Sequence, residues 1–378
     1  MAIEVFEKFS NFKKSDWDEI SKYQNPCLSY EFLNSAEGTG CASFKTGWKP
    51  KHLALFDKKR KLRAAMLLYE KHHSWGEYVF DFTWAQAYQN HNLTYYPKLI
   101  SCIPFTPISS NKILTKDAED KAAATELIHY AIKLTNTTYS SLHFHFVKIE
   151  ESVLLESCGF LTRIDCQFHW QNNNYLSFEH FLNTFTSRKR KKIKRERKKI
   201  AEQNINFKWL KGSDINKNKW SMIYDLISMT FYKKGSSPYF NFNFFMELSL
   251  KIPDNLLVII AEHNAKLIGA SLFFVGNKGL YGRYWGAADN YDSLHFETCY
   301  YQGIDYCIKN KIDHFEPGTG GEHKISRGFI PSKTWSAHYL KHPEFSAAVK
   351  HHLHAESQHI DRYIQEVQKH SPYRANNN

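Results

Sequence analysis

The densest run of chemically capable residues in the chain is 318–331, GTGGEHKISRGFIP. Glycines at 318, 320 and 321 let backbone approach a ligand closely and turn N–H groups toward an anion. Behind them stand Glu322, His323, Lys324 and Arg327, which supply a base, a proton shuttle and two cations. That set suits acyl transfer to an amine, a reaction that needs a base for the ammonium proton and donors for the tetrahedral oxyanion. Glu322 is the first choice for the base and His323 for positioning or shuttling the proton. Lys324 and Arg327 are expected to hold an anionic donor or acceptor, and Gly318, Gly320 and Gly321 to give it room. An ordinary glycine turn with solvated charges has the same composition. The run is not a Walker A loop, because no Gly-Lys-Ser/Thr follows, nor is it a dinucleotide fingerprint.

A second candidate is RKRKKIKRERKK at 188–199, with ten bases and one acid. It carries a net +9 of the chain's +12 and leaves +3 for everything else, so a polyanion would meet one basic element and not a uniformly basic surface. Arg188, Lys189, Arg190, Lys191, Lys192, Lys194 and Arg195 are the expected phosphate contacts, sequence-independent and steeply salt-dependent. A solvated helix face is the other reading. Phe181 and Phe185 just upstream are expected to anchor that helix in the core.

Other chemistries find less support. His143 and His145 alternate on one strand, and His351 and His354 lie one helical turn apart, but neither pair has a third ligand at a recognisable spacing; no metal site is expected. There is no HExxH and no GxSxG. In the first half, Pro104 and Pro107 bracket Phe105 and Thr106 and prevent ladder pairing, as where a sheet splays for a ligand, with Asp81, Trp84 and Tyr88 as further lining; rigid structure alone is the alternative. Seven scattered cysteines without CxxC pairing read as reduced, mostly buried thiols. No stretch is apolar enough to span a bilayer and the first residues lack a signal core, so a cytoplasmic protein without a transmembrane segment is expected.

The elements that must position these residues follow from periodicity. Residues 51–82 read as a meander of two apolar runs around a charged turn at 57–61, with a third run at 78–82. Residues 95–114 form a strand broken by prolines, 118–135 a helix, 141–147 a strand and 151–158 a helix ended by Gly159. Strands at 256–262, 266–275 and 279–286, a helix at 294–309 and a strand at 312–315 repeat the same order. Residues 177–204 read as one surface helix with a thin seam of Ile193 and Ile200, and 343–370 as a C-terminal helix with Phe345, Val349, Leu353, Ile360 and Ile364 on its apolar face.

The string HFEPGTGGEHKISRGFIPSKTWSAHYL, with LHFETCYYQGIDYCI upstream and YYPKLISCIPFTP in the first half, resembles the FemAB-like, GNAT-related N-acyltransferases often labelled peptidoglycan biosynthesis proteins. The resemblance spans roughly Tyr30 to His338. It implies an α/β (α+β) fold of two tandem GNAT-like mixed-sheet domains with flanking helices and a C-terminal helix: 1–176, 177–340 beginning with the basic helix, and 341–378. It implies an acyl- or aminoacyltransferase with acyl-CoA or aminoacyl-tRNA as donor, no tightly bound cofactor, and a small-molecule or peptide amine as acceptor, peptidoglycan-precursor peptides included. It makes Glu297 the second choice for base and sets His295 and Tyr300 beside the donor cleft, where composition alone gives only an acid stabilising a helix start. Two departures matter. The Q/RxxGxG/A loop that cradles a pyrophosphate is absent from both halves, against acetyl-CoA, and no long helical arm for tRNA is present, which leaves the basic helix as the tRNA contact. The alternatives are a non-catalytic RNA-binding protein on a degenerate transferase fold, and a transferase whose basic helix touches an anionic membrane.

Overall fold

The computed structural model describes residues 2–22 and 25–374. The chain forms two compact units, Met1–Asp165 with Lys333–Arg362, and Cys166–Ser332 with Tyr363–Asn378. Neither unit is continuous in sequence, unlike the expected divisions at 176/177 and 340/341. The chain changes unit inside two long strands and inside the last helix, where local hydrophobic pattern gives no boundary signal.

The strands in chain order are β1 (Ala2–Phe6), β2 (Trp48–Pro50), β3 (His52–Phe56), β4 (Leu62–Met66), β5 (Tyr69–Lys71), β6 (Lys98–Ser101), β7 (Ile113–Thr115), β8 (Ser141–Val147), β9 (Leu161–Gln171), β10 (Asn206–Lys211), β11 (Leu256–His263), β12 (Lys266–Val275), β13 (Gly279–Ala287), β14 (His314–Glu316) and β15 (Ile330–Leu340). In the first unit β1, β3, β4 and β7 form an antiparallel sheet, and β2, β5, β6, β8 and β15 are neighbours in that order in a mixed one. The parallel pair β6 and β8 is joined across the helix Lys121–Thr138, whose Leu127, Ile128 and Ala131 pack on Leu99, Leu142 and Phe144. Every residue of β8 is buried, as a strand covered on both faces must be.

The run 78–82 does not become a third strand. Tyr78 adopts a left-handed φ of 62°, and the helix Phe82–Asn90 starts directly after Asp81. A buried ammonium explains this: Lys98 Nζ donates to Glu77 at 2.8 Å and to Asp81, so the segment is tied to a charge and not to a ladder.

In the second unit the neighbours run β10, β11, β12, β13, β14, β9. All pairs are antiparallel except β13 with β14, joined across the helical stretch Leu294–Lys309. Residues 177–204 are two helices, Phe178–Asn183 and Ser187–Glu202. The break comes at Phe185, which is buried and bridges to Tyr373 as an extended residue. Ile193 and Ile200 are buried as expected, but so is Glu196 between them, so the seam of the basic helix is wider and more polar than the periodicity indicated. The last helix spans Pro343–Gln368, and Val349, Leu353 and Ile364 are buried on it. None of the seven cysteines is in a disulfide; Cys27, Cys41, Cys102 and Cys307 are buried.

Candidate functional site

The candidate centre in the second unit is built where β13 and β14 stop pairing. Their parallel ladder ends at Tyr281 and Glu316, although β13 runs on to Ala287. Beyond that point the two backbones are in contact without a ladder; a Cβ at Gly282 would stand 3.2 Å from Pro317 Cα. Gly318, Gly320 and Gly321 then take φ values of 90°, 69° and 93°, the left-handed region that costs other residues most. They turn the chain into a 3₁₀ segment, Glu322–Arg327. Lys324 folds back from it, its Nζ donating to Gly318 O at 2.7 Å and Thr319 O at 3.3 Å.

Lys324 is buried with only carbonyl oxygens at hydrogen-bond distance, and burial pushes its ammonium down to about 8. Arg327 is equally buried, and both its Nη atoms are engaged while its Nε has no hydrogen-bond partner among the described residues. Its Nη2 meets both Glu196 oxygens at 2.9 and 3.0 Å, its Nη1 meets His323 O at 2.7 Å, and its guanidinium lies 3.4 Å above the Phe296 ring. Tyr301 donates to the same Glu196 carboxylate. Arg327 therefore does not stand free for an anionic substrate as composition suggested; it ties the glycine segment to the basic helix.

The helix after β13 contributes the aromatic and imidazole groups. Its middle turn, Glu297–Tyr301, is π-helical, a rare insertion that changes which residues share a face. Tyr300 and His323 Nε2 are 2.9 Å apart, and burial together with Arg327 and Lys324 lowers the imidazole pKa, so His323 is neutral near pH 7. His295 packs against Trp285 and Tyr300, and burial beside His323 takes it to about 4. Glu297 is turned to the basic helix: its Oε1 accepts from Arg197 at 3.0 Å and from Gln302 at 2.8 Å, and burial raises its pKa against the pull of Arg197. Glu322 is exposed and accepts from Tyr363 Oη at 2.9 Å. The fold thus gathers His295, Tyr300, His323, Lys324 and Arg327 through a chain of contacts, with Glu297 and Glu322 bonded elsewhere.

Two clefts flank this group. One of about 310 Å³ is lined by Lys233, Lys234, Trp285, Asp289, Tyr291 and His295. The other, about 670 Å³, is lined by Arg188, Lys189, Lys191, Lys192, Arg195 and His370. The five helix residues fall at spacings that share one face. Arg188, Lys189, Lys191 and Arg195 have no acidic partner among the described residues. Lys194 is paired with Glu179 at 2.6 Å and, with Arg190, does not line the cleft. Pro104, Phe105 and Thr106 belong to the first unit and are buried; Phe105 packs on Trp48, and Thr106 Oγ1 donates to Pro104 O at 2.8 Å. Their rigid-structure reading is the one their contacts describe. Sequence reading missed Glu196, Tyr301 and Lys233. The single acid between Ile193 and Ile200 in an otherwise basic run was the available signal for the first.

Compared with known proteins, the sequence matches the FemAB-like family, described as peptidoglycan biosynthesis/recognition, over residues 8–375, and the chain belongs to that family. Among solved structures it is similar to FemX, with a TM-score of 0.56 at 10% identity, covering 92% of this chain and 99% of that one. It is also similar to the C-terminal domain of a putative lysylphosphatidylglycerol synthetase from Agrobacterium fabrum, with a TM-score of 0.53 at 8% identity, covering 89% of this chain and 94% of that one. No curated protein matches the sequence. The fold is a mixed α/β one of two compact units. No helix among the described residues is long and apolar enough to cross a membrane.

Proposed function

We propose that the second unit transfers an activated acyl or aminoacyl group to an amine, and that the donor is carried on a polyanion, aminoacyl-tRNA in preference to acyl-CoA. One observation carries this reading: Arg327 and Glu196 join the glycine segment to the helix whose unpaired bases line the 670 Å³ cleft. A phosphate backbone held there lies beside a centre that holds a neutral imidazole and a buried ammonium, and Lys192 of the cleft is close enough to His323 to depress its pKa. Membership of the FemAB-like family supports the reaction class. The FemAB resemblance supports peptidoglycan-precursor peptides as acceptors, and the reading puts the protein in the cytoplasm, where charged tRNA is found.

In this mechanism the acceptor nitrogen attacks the donor carbonyl carbon while His323 takes its proton. Lys324 stabilises the oxyanion, and the bond from carbonyl carbon to the leaving oxygen breaks as Tyr300, hydrogen-bonded to His323, returns a proton to that oxygen. No covalent enzyme intermediate is needed. Glu322, on the exposed rim, meets the incoming ammonium. Gly318–Gly321 admits the reacting groups next to the Lys324 ammonium.

The test uses full-length protein with aminoacyl-tRNA or acyl-CoA donors and amine acceptors that include precursor peptides. His323→Ala and Lys324→Met are expected to lower transfer by about 10² or more each while tRNA binding persists. Transfer that survives Glu322→Ala, His323→Ala and Lys324→Met alike removes this centre. The unpaired cleft bases also favour a second reading, RNA binding without turnover, which is the outcome if tRNA binds and no donor reacts.

A further inference from the structure

Strand β8 carries His143 and His145 on one face, and β15 sets His338 directly opposite His143, with Ser336 opposite His145. The third imidazole that local spacing could not supply thus comes from a strand 195 residues away. All three rings are buried, and one nitrogen from each lies within 4.8 Å of those of the other two. Two alternate residues on one strand and one across the ladder put three imidazoles around a single point, the arrangement a three-histidine zinc site requires.

The far nitrogens are held as metal ligands usually are. His143 Nε2 is 2.8 Å from Ser141 Oγ and His338 Nε2 is 3.0 Å from Ser336 Oγ, the serine in each case two residues earlier on the same strand. The two Nδ1 atoms then face each other at 2.8 Å, and His145 Nδ1 has no hydrogen-bond partner among the described residues. If both Nε2–H groups are donated to the serines, two Nδ1 lone pairs confront each other at 2.8 Å, a geometry that a cation between them relieves. A metal ion takes neutral imidazole through its lone pair. The metal-free alternative, one ring donating Nδ1–H to the other, satisfies that pair but leaves His145 Nδ1 bare. Lys98, whose charge bears on His143, is held between Asp81 and Glu77, and Asp81 Oδ2 is 4.0 Å from His143 Nε2, where it offsets added positive charge.

We propose that His143, His145 and His338 bind one borderline divalent transition-metal ion, zinc first among them, which clamps β15 to β8 in the first unit. Imidazole suits such ions. Zn–N bonds of about 2.0–2.1 Å at tetrahedral angles separate the nitrogens by about 3.3 Å, so the His143–His338 pair opens by about 0.5 Å as His145 swings in. The site is independent of the transfer chemistry, and its test does not use activity.

Full-length protein stripped with chelator, loaded with zinc and desalted is expected to hold one zinc per chain by elemental analysis. Cobalt loading is expected to give tetrahedral d–d absorption, and zinc to raise Tm. His145→Ala and His338→Ala are expected to lose the bound ion and the Tm rise, while His351→Ala with His354→Ala, an exposed helical pair, keeps both. Should the buried variants misfold by circular dichroism, the wild type decides alone. A folded, stripped wild type that takes up no stoichiometric zinc, cobalt or nickel overturns the proposal, as does binding lost with His351 and His354 but retained without His145.

Discussion

Lys324 and Arg327 stand three residues apart with the same formal charge and similar burial, yet they differ in what surrounds them. Arg327 is neutralised by a carboxylate, and Lys324 is met only by carbonyl oxygens. An ammonium so placed is displaced from its ordinary 10.5 to about 8. Between those values the unfolded chain binds more protons than the folded one, so folded-state stability rises with pH through that window. The penalty is fully present below about pH 8 and gone above about 10.5. Lys324→Met removes it, and the wild type is therefore expected to gain on the variant as pH rises from 8 to 10.5, read as the difference in urea midpoints. A pH-independent difference counts against a buried charged Lys324. The same position is the most informative one for catalysis, because its charge state and the carbonyls it pins change together.

Among the elements, the basic helix has two faces with different duties. Ile193, Glu196 and Ile200 face inward and Glu196 takes the Arg327 fork, whereas Arg188, Lys189, Lys191, Lys192 and Arg195 line the cleft. Removing one partner of a buried pair strands the other, so Arg327→Leu is expected to cost about 3 kcal/mol in urea denaturation. Replacing Glu196 and Arg327 together by leucine is expected to recover most of that loss, since the uncompensated charge goes with its partner. If the double variant is as unstable as the sum of the singles, the two residues are not energetically coupled. The π turn at Glu297–Tyr301 belongs to the same scale: it leaves Glu297 on Arg197 and Tyr300 on His323.

At the scale of the whole molecule the net charge of +12 resolves into one basic segment, 188–199, and a nearly balanced remainder. Charge reversal at Lys191, Lys192 and Arg195 together is expected to reduce the slope of log affinity for tRNA against log salt by ~2 to 3, at about 0.7–0.9 per phosphate contact. Lys194→Glu, at a residue already paired with Glu179, is expected to leave the slope nearly unchanged. Equal effects from both would mean that binding is diffuse and not seated in the cleft.

The sequence by itself determined what depends on near neighbours. The glycine turn, the strand order β11 to β14 with its crossover helix, and the burial of Ile193 and Ile200 all follow from backbone φ preferences and from periods of two and 3.6 residues. Long motifs carried the family. The strand expected at 78–82 failed, because a lysine from β6 holds that segment. Only the tertiary structure decided which charges stay available. Arg327 meets Glu196 across 131 residues and His143 meets His338 across 195, and such pairs are set by strand register and helix packing, which no local spacing encodes.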